Sequence, residues 1–476
     1  MQNNKIIRAS IWYTVSGFLL KGIGFITTPI FSRILTLEEY GILNNFNSWV
    51  AILAIVCTLS LSASLVRARF DYKNDLNSFI KTNLLLGSFV TLIIFGVIFI
   101  NIDFWSDLFA IDSKYQIIML LTILANPAYD MFIQVQQFKY KYKTVAALSV
   151  ILTLSNVGLS LLLIFLFEDN LYARIIGGQL PVILIGFGLY GYFVLSGKKV
   201  CFNYLKYSIP MSIPYMIHLL AGVLLNSSDR VMITKICGAG ENALYSMAYN
   251  IAMIVNMIWT AMNTAYSPWL GERLNEKKYE AIRKYSYGYI GIFIFLVIGV
   301  MLVAPEALWI LGGEEYVYAK YVIPPVMMGN LFIFMYSLYV NIEQFERKTV
   351  GMAVGTVVCS LLNISLNWIF LPKFGYIAGA YTTLISYFFL FVIHYGIVRK
   401  IGLNICYNSK YIFVVCIVSV AISGCAVILY EYNIIRYLVI CLYTVFSVLV
   451  IIFNRHKIIN MLKGKVNDDE KSKKIN

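Results

Sequence analysis

Apolar segments long enough to cross a bilayer as helices follow one another along this chain, separated only by short polar connections. Fourteen can be drawn, near residues 11–34, 44–66, 79–101, 116–138, 144–167, 172–195, 208–236, 244–270, 286–304, 321–343, 350–370, 377–398, 411–430 and 434–453. A hydrocarbon core of ~30 Å needs about 20 helical residues, and inside lipid only helices and closed barrels satisfy the backbone. The expected fold is therefore an all-α integral membrane protein of about 14 transmembrane helices. Composition agrees, with 60% hydrophobic and 13% charged residues and a mean hydropathy of +0.75. No connection is long enough for a soluble domain. The first segment is too long for a leader's apolar core and lacks a small-residue cleavage end, so it reads as an uncleaved helix.

Charge supplies the orientation. Of the 38 lysines and arginines, 29 fall on the termini and on alternate loops, and only 7 on the opposite loops. The opposite loops gather acidic residues instead, among them Asp103, Asp107, Asp112, Glu168, Asp169, Glu314 and Glu315. By the positive-inside rule both termini face the cytoplasm, which an even helix count also requires. The formal charge of +14 is thus a topology signal and does not point to nucleic acid. The eight cysteines are scattered without a C-x-x-C pair, as small apolar residues rather than a disulfide or metal framework.

The chain also repeats itself. Gln137-Phe138, Lys143-Thr144-Val145 and Asn156 return as Gln344-Phe345, Lys348-Thr349-Val350 and Asn363, at offsets of 207, 205 and 207. Arg33 with Glu39-Tyr40-Gly41 likewise precedes Lys235 with Glu241-Asn242-Ala243 by 202. The expected organisation is two six-helix halves, 1–200 and 201–400, then two additional helices over 401–455 and a charged cytoplasmic tail over 456–476. Each half has an even number of crossings, so the pseudo-two-fold axis relating them runs along the membrane normal. Substrate then binds between the halves near mid-membrane.

Few residues inside the spans can carry chemistry. In the first segment Ser10, Thr14, Gly17, Lys21, Gly24 and Thr28 form one small, polar stripe at helical spacing. A lysine there costs ~2.5–3.5 kcal/mol against lipid, so Lys21 should face a bundle interior or a wet cavity. The seventh segment carries Ser212, Tyr215, Gly222, Asn226 and Asp229 at similar spacing, with Arg230 beside them and Pro210 and Pro214 expected to kink it. The competing reading is that Asp229 and Arg230 neutralise one another or sit in the outer headgroup layer. Arg33 and Lys235 hold corresponding repeat positions, fitted equally to interfacial anchoring or to ligand contact. Candidates for ion coupling are Asp130, Asp229 and Glu343, with Asp130 expected in low dielectric and Glu343 at the water boundary. His218 and His394 read as satisfied core histidines, with a proton role as the alternative. No nucleotide-binding loop, nucleophile elbow, zinc-protease helix or cofactor motif occurs, which excludes an ATP-driven pump and leaves no cofactor to place.

The motif from Arg33 to Gly41, Pro210 with Asp229 to Ile233, the stretch from Pro305 to Ala319, and Asn363 with Leu371 to Ala380 together carry a family resemblance. The chain resembles a polysaccharide-export flippase, the Wzx-type branch of the multidrug/oligosaccharidyl-lipid/polysaccharide superfamily. That resemblance implies a non-enzymatic carrier in the bacterial cytoplasmic (inner) membrane. It would move an undecaprenyl-diphosphate-linked oligosaccharide from the cytoplasmic to the outer leaflet by alternating access. Membrane lipids, a polysaccharide polymerase and a chain-length regulator are the implied partners. Lys21 and Arg230, helped by Arg33 and Lys235, would bind the diphosphate or acidic sugars. Two alternatives stay open: a cation-coupled multidrug exporter of the same superfamily, and an integral-membrane glycan polymerase or ligase.

Overall fold

A computed structural model describes residues 22–462, so Lys21 and the end of the tail from 463 lie outside the described residues. Helix α1 covers 22–34, followed by α2 Leu37–Thr58, a 3₁₀ turn Leu61–Ser64 and α3 Leu65–Asp71. Then come α4 Leu76–Ile100, α5 Ile102–Phe109, α6 Ser113–Phe138, α7 Tyr142–Leu166 and α8 Asn170–Ser196. The second series is α9 Phe202–Ile236, α10 Ala239–Asn275, α11 Tyr279–Leu302, α12 Ala304–Gly312, a 3₁₀ stretch Glu314–Val322, α13 Ile323–Phe345, α14 Thr349–Phe374 and α15 Tyr376–Ile401. Helices α16 Ser409–Leu429 and α17 Asn433–Leu462 close the chain. Among the described residues there is no strand.

Eleven of these helices are long and apolar enough to cross a membrane. Of the other three expected segments, 11–34 is helical over its described part, 22–34, and the remaining two are the more polar α10 and α17, whose apolar part is Asn433–Leu449. The short α5 and α12 were not expected. They begin 202 residues apart, as do α2 and α10, although the turn and α3 that follow α2 have no counterpart after the longer α10.

Local chemistry places the helix ends. Thr36 and Glu39 make a reciprocal cap on α2: the Thr36 N–H donates to Glu39 Oε2 at 2.8 Å and the Glu39 N–H to Thr36 Oγ1 at 3.2 Å. Asp169 accepts the Tyr172 N–H at 2.8 Å to start α8, and Gly402, at φ +85°, ends α15. Pro210 and Pro214 lie inside α9 without unwinding it, and the helix runs on for 35 residues.

Packing follows two clusters. The larger centres on α13, whose residues are nearly all buried against α10, α11, α14, α15 and α16. The smaller joins Leu61, Leu65, Phe79, Ile80, Met131 and Phe193 with Tyr204 at the start of α9. The expected boundary at 200/201 thus falls before a helix that begins against the first series and ends against α14. Polar ties strengthen that start: Ser208 Oγ donates to Asn83 Oδ1 at 2.7 Å, and Lys199 pairs with Asp75 at 3.1 Å. The Lys199 hydrogen bond, with help from Tyr204, holds the Asp75 carboxyl below its ordinary pKa. Helix α7 buries only Val145 and Ser160 and reads as lipid-facing. The last two helices are fastened by Arg436, 2% exposed, which grips the Glu306 carboxylate of α12 at 2.6 and 2.8 Å.

Candidate functional site

Arg230 lies two turns from the end of α9, and the i, i+4 spacing puts Asn226 on the same face. Both line a cavity of about 230 Å³ with Tyr249, Asn250, Asn256, Asn330 and Tyr387. The guanidinium carbon sits 5.1 Å from the centre of the Tyr249 ring, and its Nε is buried without a partner. Tyr387 donates to Asn226 Oδ1 at 2.6 Å. Cation, amides and phenols therefore face one space. Arg230 makes no direct ion pair among the described residues, although its charge acts on the neighbouring Asp229.

Asp229 points the other way, fully buried. Its carboxylate accepts hydrogen bonds from Tyr245 Oη, from Thr383 Oγ1 at 3.4 Å and from the Arg230 N–H at 2.9 Å. Behind it runs a buried polar chain: Ser228 Oγ donates to Asn363 Oδ1 at 3.3 Å, Asn363 Nδ2 to Thr383 at 3.0 Å, and Asn367 Nδ2 to Asn363 Oδ1 at 3.2 Å. The single polar face expected on the seventh segment is thus divided. Ser212 and Asp229 turn into packing, whereas Tyr215 and Asn226 are exposed.

Of the other two carboxylates, Glu343 departs from the environment expected of it. Asp130 is an accessible side chain on the rim of a separate cavity of about 210 Å³ between α2, α4, α6 and α9, taking one hydrogen bond from Asn126 Nδ2 at 3.0 Å. Glu343 is fully buried, because α14 and α15 pack over the last turns of α13. His394 on α15 is its partner, at 2.6 Å.

Arg33 and Lys235 come to reciprocal positions, on the side away from the basic loops. Arg33 Nη2, at the end of α1, donates to the carbonyls of Trp309 and Ile310 at 3.4 and 2.9 Å, and Ser32 Oγ to that of Leu311 at 2.5 Å. These are closing carbonyls of α12, in the second series. Lys235 Nζ, at the end of α9, donates to the carbonyl and Oδ1 of Asp107 in α5, in the first series, both at 2.7 Å. Asp107 and Trp309 are themselves 202 apart. Each series thus caps the other's short helix, where orphan carbonyls and the helix dipole favour a cation. Between the two caps, a Cβ on Gly41 would fall inside the Ala239 main chain, Asn242 Nδ2 donates to the Gly41 carbonyl at 3.0 Å, and Asn250 Nδ2 to Tyr40 Oη at 3.0 Å.

Sequence reasoning missed Arg174. It was counted with the loops, although it lies inside the sixth apolar segment. Its guanidinium stacks 3.9 Å from the Phe31 ring centre and donates to Ser160 Oγ at 2.9 Å. The oxygen-rich shell of Asp229 was also missed, although Asn363 had surfaced in the repeat.

Two packed helix series and an unpaired cation in a cavity define a membrane transporter architecture. Comparison with known proteins agrees: the model of the family described as "Polysaccharide biosynthesis protein" matches residues 6–274, and the MatE model matches 214–369. The chain belongs to the polysaccharide biosynthesis protein family. It is 24% identical over 406 residues to "Lsg locus putative protein 1" of Haemophilus influenzae, covering 81% of this chain and 98% of that one. It is 21% identical over 403 residues to "Probable low-salt glycan biosynthesis flippase Agl15" of Haloferax volcanii, covering 82% of each. Among solved structures it shares the fold of "Lipid II flippase MurJ, inward closed conformation", with TM-score 0.68 and 14% identity over 94% of this chain and all of that one.

Proposed function

We propose that this protein carries an undecaprenyl-diphosphate-linked oligosaccharide from the cytoplasmic to the outer leaflet of a bacterial inner membrane, by alternating access between its two helix series. The observation that carries this reading is the unpaired Arg230 among amides and phenols. A diphosphate cannot cross hydrocarbon without counter-charge, and Arg suits bidentate phosphate contact. Amides and tyrosines suit sugar hydroxyls and rings. Lys21, outside the described residues, remains a second proposed cation. Arg33 and Lys235 would meet substrate only after releasing their carbonyls. With the basic loops and both termini cytoplasmic, the reciprocal caps lie on the outer side and the described arrangement is closed there. Asp229 in its oxygen-rich shell is the proposed place for a coupling proton or sodium ion, with Asp130 at the mouth of the other cavity. A polymerase and a chain-length regulator would receive the product.

Liposomes containing the purified protein and a fluorescent lipid-linked oligosaccharide test this directly. Leaflet transfer without any new glycosidic bond is the expected result. Bond formation would favour a polymerase or ligase, and export of cationic dyes without glycan transfer would favour a multidrug exporter. For orientation, cysteines placed in 101–115 and 305–320 should label from outside, and those in 139–143 and 273–284 should not. Labelling of all four from one side would overturn the assignment.

A further inference from the structure

The pair formed by Glu343 and His394 has a composition that a hydrophobic core does not need. Both side chains are fully buried, with Glu343 Oε1 2.6 Å from His394 Nδ1. Their second atoms, Oε2 and Nε2, are buried with no hydrogen-bond partner. Leaving a buried polar atom unsatisfied costs ~1–3 kcal/mol, whereas a well-packed apolar pair in the same volume is commonly neutral or better.

The helix facing them is notched to make room. Gly351 and Gly355 stand one turn apart on α14. A Cβ on Gly351 would lie 3.5 Å from Glu343 Oε2, and one on Gly355 3.1 Å from His394 Nε2. Both free atoms therefore look onto a strip of bare backbone. The titratable groups facing the pair are few. From α13 there is the Tyr336 ring, 4.8 Å from the imidazole, and from α14 there is Cys359, in electrostatic reach of that tyrosine. The cations of this end, Arg347, Lys348, Arg399, Lys400 and Lys410, are exposed, and none pairs with Glu343 among the described residues. Only the Lys348 main-chain N–H reaches that residue, at the Glu343 carbonyl, 2.8 Å away.

We propose that Glu343 and His394 form a proton-binding site within the second helix series, distinct from the anion cavity and from Asp229. With one shared proton the pair has no net charge, whether written as carboxylate and imidazolium or as acid and imidazole. When α14 shifts from α13 and α15, water from the basic-loop side reaches Oε2 and Nε2. A second proton then passes from hydronium to the pair, leaving carboxylic acid and imidazolium with a net charge of +1. Returning that charge to a dry interior is unfavourable, so the doubly protonated pair holds the helices apart until the proton leaves. One proton per cycle would bias the equilibrium between access states. This coupling role rests on the carrier reading above, but proton binding itself does not.

The test separates the two. Infrared difference spectra of the purified full chain, taken on acidification without substrate, should show the C=O stretch of a buried carboxylic acid. That band should be lost in Glu343→Gln and shifted in His394→Gln. Gly355→Ala, which crowds Nε2 without removing either titratable group, should shift it as well and covers the case in which the first variant does not fold. In liposomes, stimulation of glycan transfer by an imposed proton gradient should be lost in Glu343→Gln, while transfer without a gradient persists. A carboxylic-acid band unchanged in Glu343→Gln and in Gly355→Ala overturns the site. Absence of glycan transfer by the unaltered protein, with the band present, overturns the carrier reading and leaves the site standing.

Discussion

Arg230→Ala should abolish glycan translocation while the protein still inserts and accumulates. The residue makes no direct ion pair among the described residues, and the Asp229 carboxylate beside it keeps its hydrogen bonds from Tyr245, Thr383 and the main chain when the guanidinium is removed. Its contacts are the Tyr249 ring and a long 3.5 Å bond to the Asn226 carbonyl on its own helix, and neither holds two elements together rigidly. What is lost is a charge-assisted bond to substrate, worth ~1.5–3 kcal/mol, or about 10- to 150-fold in affinity. Arg230→Lys should keep part of the activity, since it retains charge but loses the planar fork. Tyr249→Leu should fall between them, because the ring orients the cation at a cost of ~0.5–2 kcal/mol when absent. The measurement is leaflet transfer of a lipid-linked oligosaccharide at equal protein content. Normal rates in Arg230→Ala would remove the cationic cavity from the mechanism.

How much of this was legible beforehand depended on the physical range of each signal. Apolar length and alternate-loop charge report on lipid and leaflet, which act on every residue of a span. The described parts of the expected segments are therefore largely helical, the second of them broken after Thr58, and the 202-residue offset reaches α5 and α12. Helical spacing within the seventh segment grouped Asp229 with Asn226, but spacing alone cannot say which neighbour each side chain meets. Three residues are 300° around a helix and four are 400°, so adjacent positions in one stripe can face different surroundings. Asn226 came to the cavity and Asp229 to the packed interior. Glu343 looked solvated because Arg347 and Lys348 follow it closely. Only the tertiary packing of α14 and α15 over α13 reveals that it is dry, and the Gly351–Gly355 notch was the one local hint. The roles of Arg33 and Lys235 needed contacts about 130 to 280 residues distant in sequence, which no local pattern encodes.

Those two residues give the last large effect. Arg33→Ala with Lys235→Ala should shift the protein toward the state open on the outer side. The effect follows from reciprocity: each cation belongs to one series and caps a short helix of the other, so both contacts must break together when the outer ends part. A cation at a helix C-terminus contributes ~0.3–1 kcal/mol when solvent-exposed, and Lys235 is 41% exposed. Losing both should shift the ratio of states by about 3- to 30-fold, the factor that ~0.6–2 kcal/mol implies. Either single substitution should give roughly half that free energy, because the symmetry-related cap persists. The caps act at separate places, so the two effects should add. High salt should reproduce part of the shift in the unaltered protein by screening these exposed contacts. Gly41→Leu should act in the same direction through bulk alone, since its side chain would collide with the Ala239 main chain, and salt should not change its effect. Spin labels at Glu168→Cys and Glu314→Cys, both exposed positions on the proposed outer side, would read the separation in a background with the eight native cysteines replaced. A longer distance in the double variant, intermediate in each single one, is the expected pattern. An unchanged distance in the double variant, with Gly41→Leu lengthening it, would show that close packing of α2 on α10 holds the outer side without the cations.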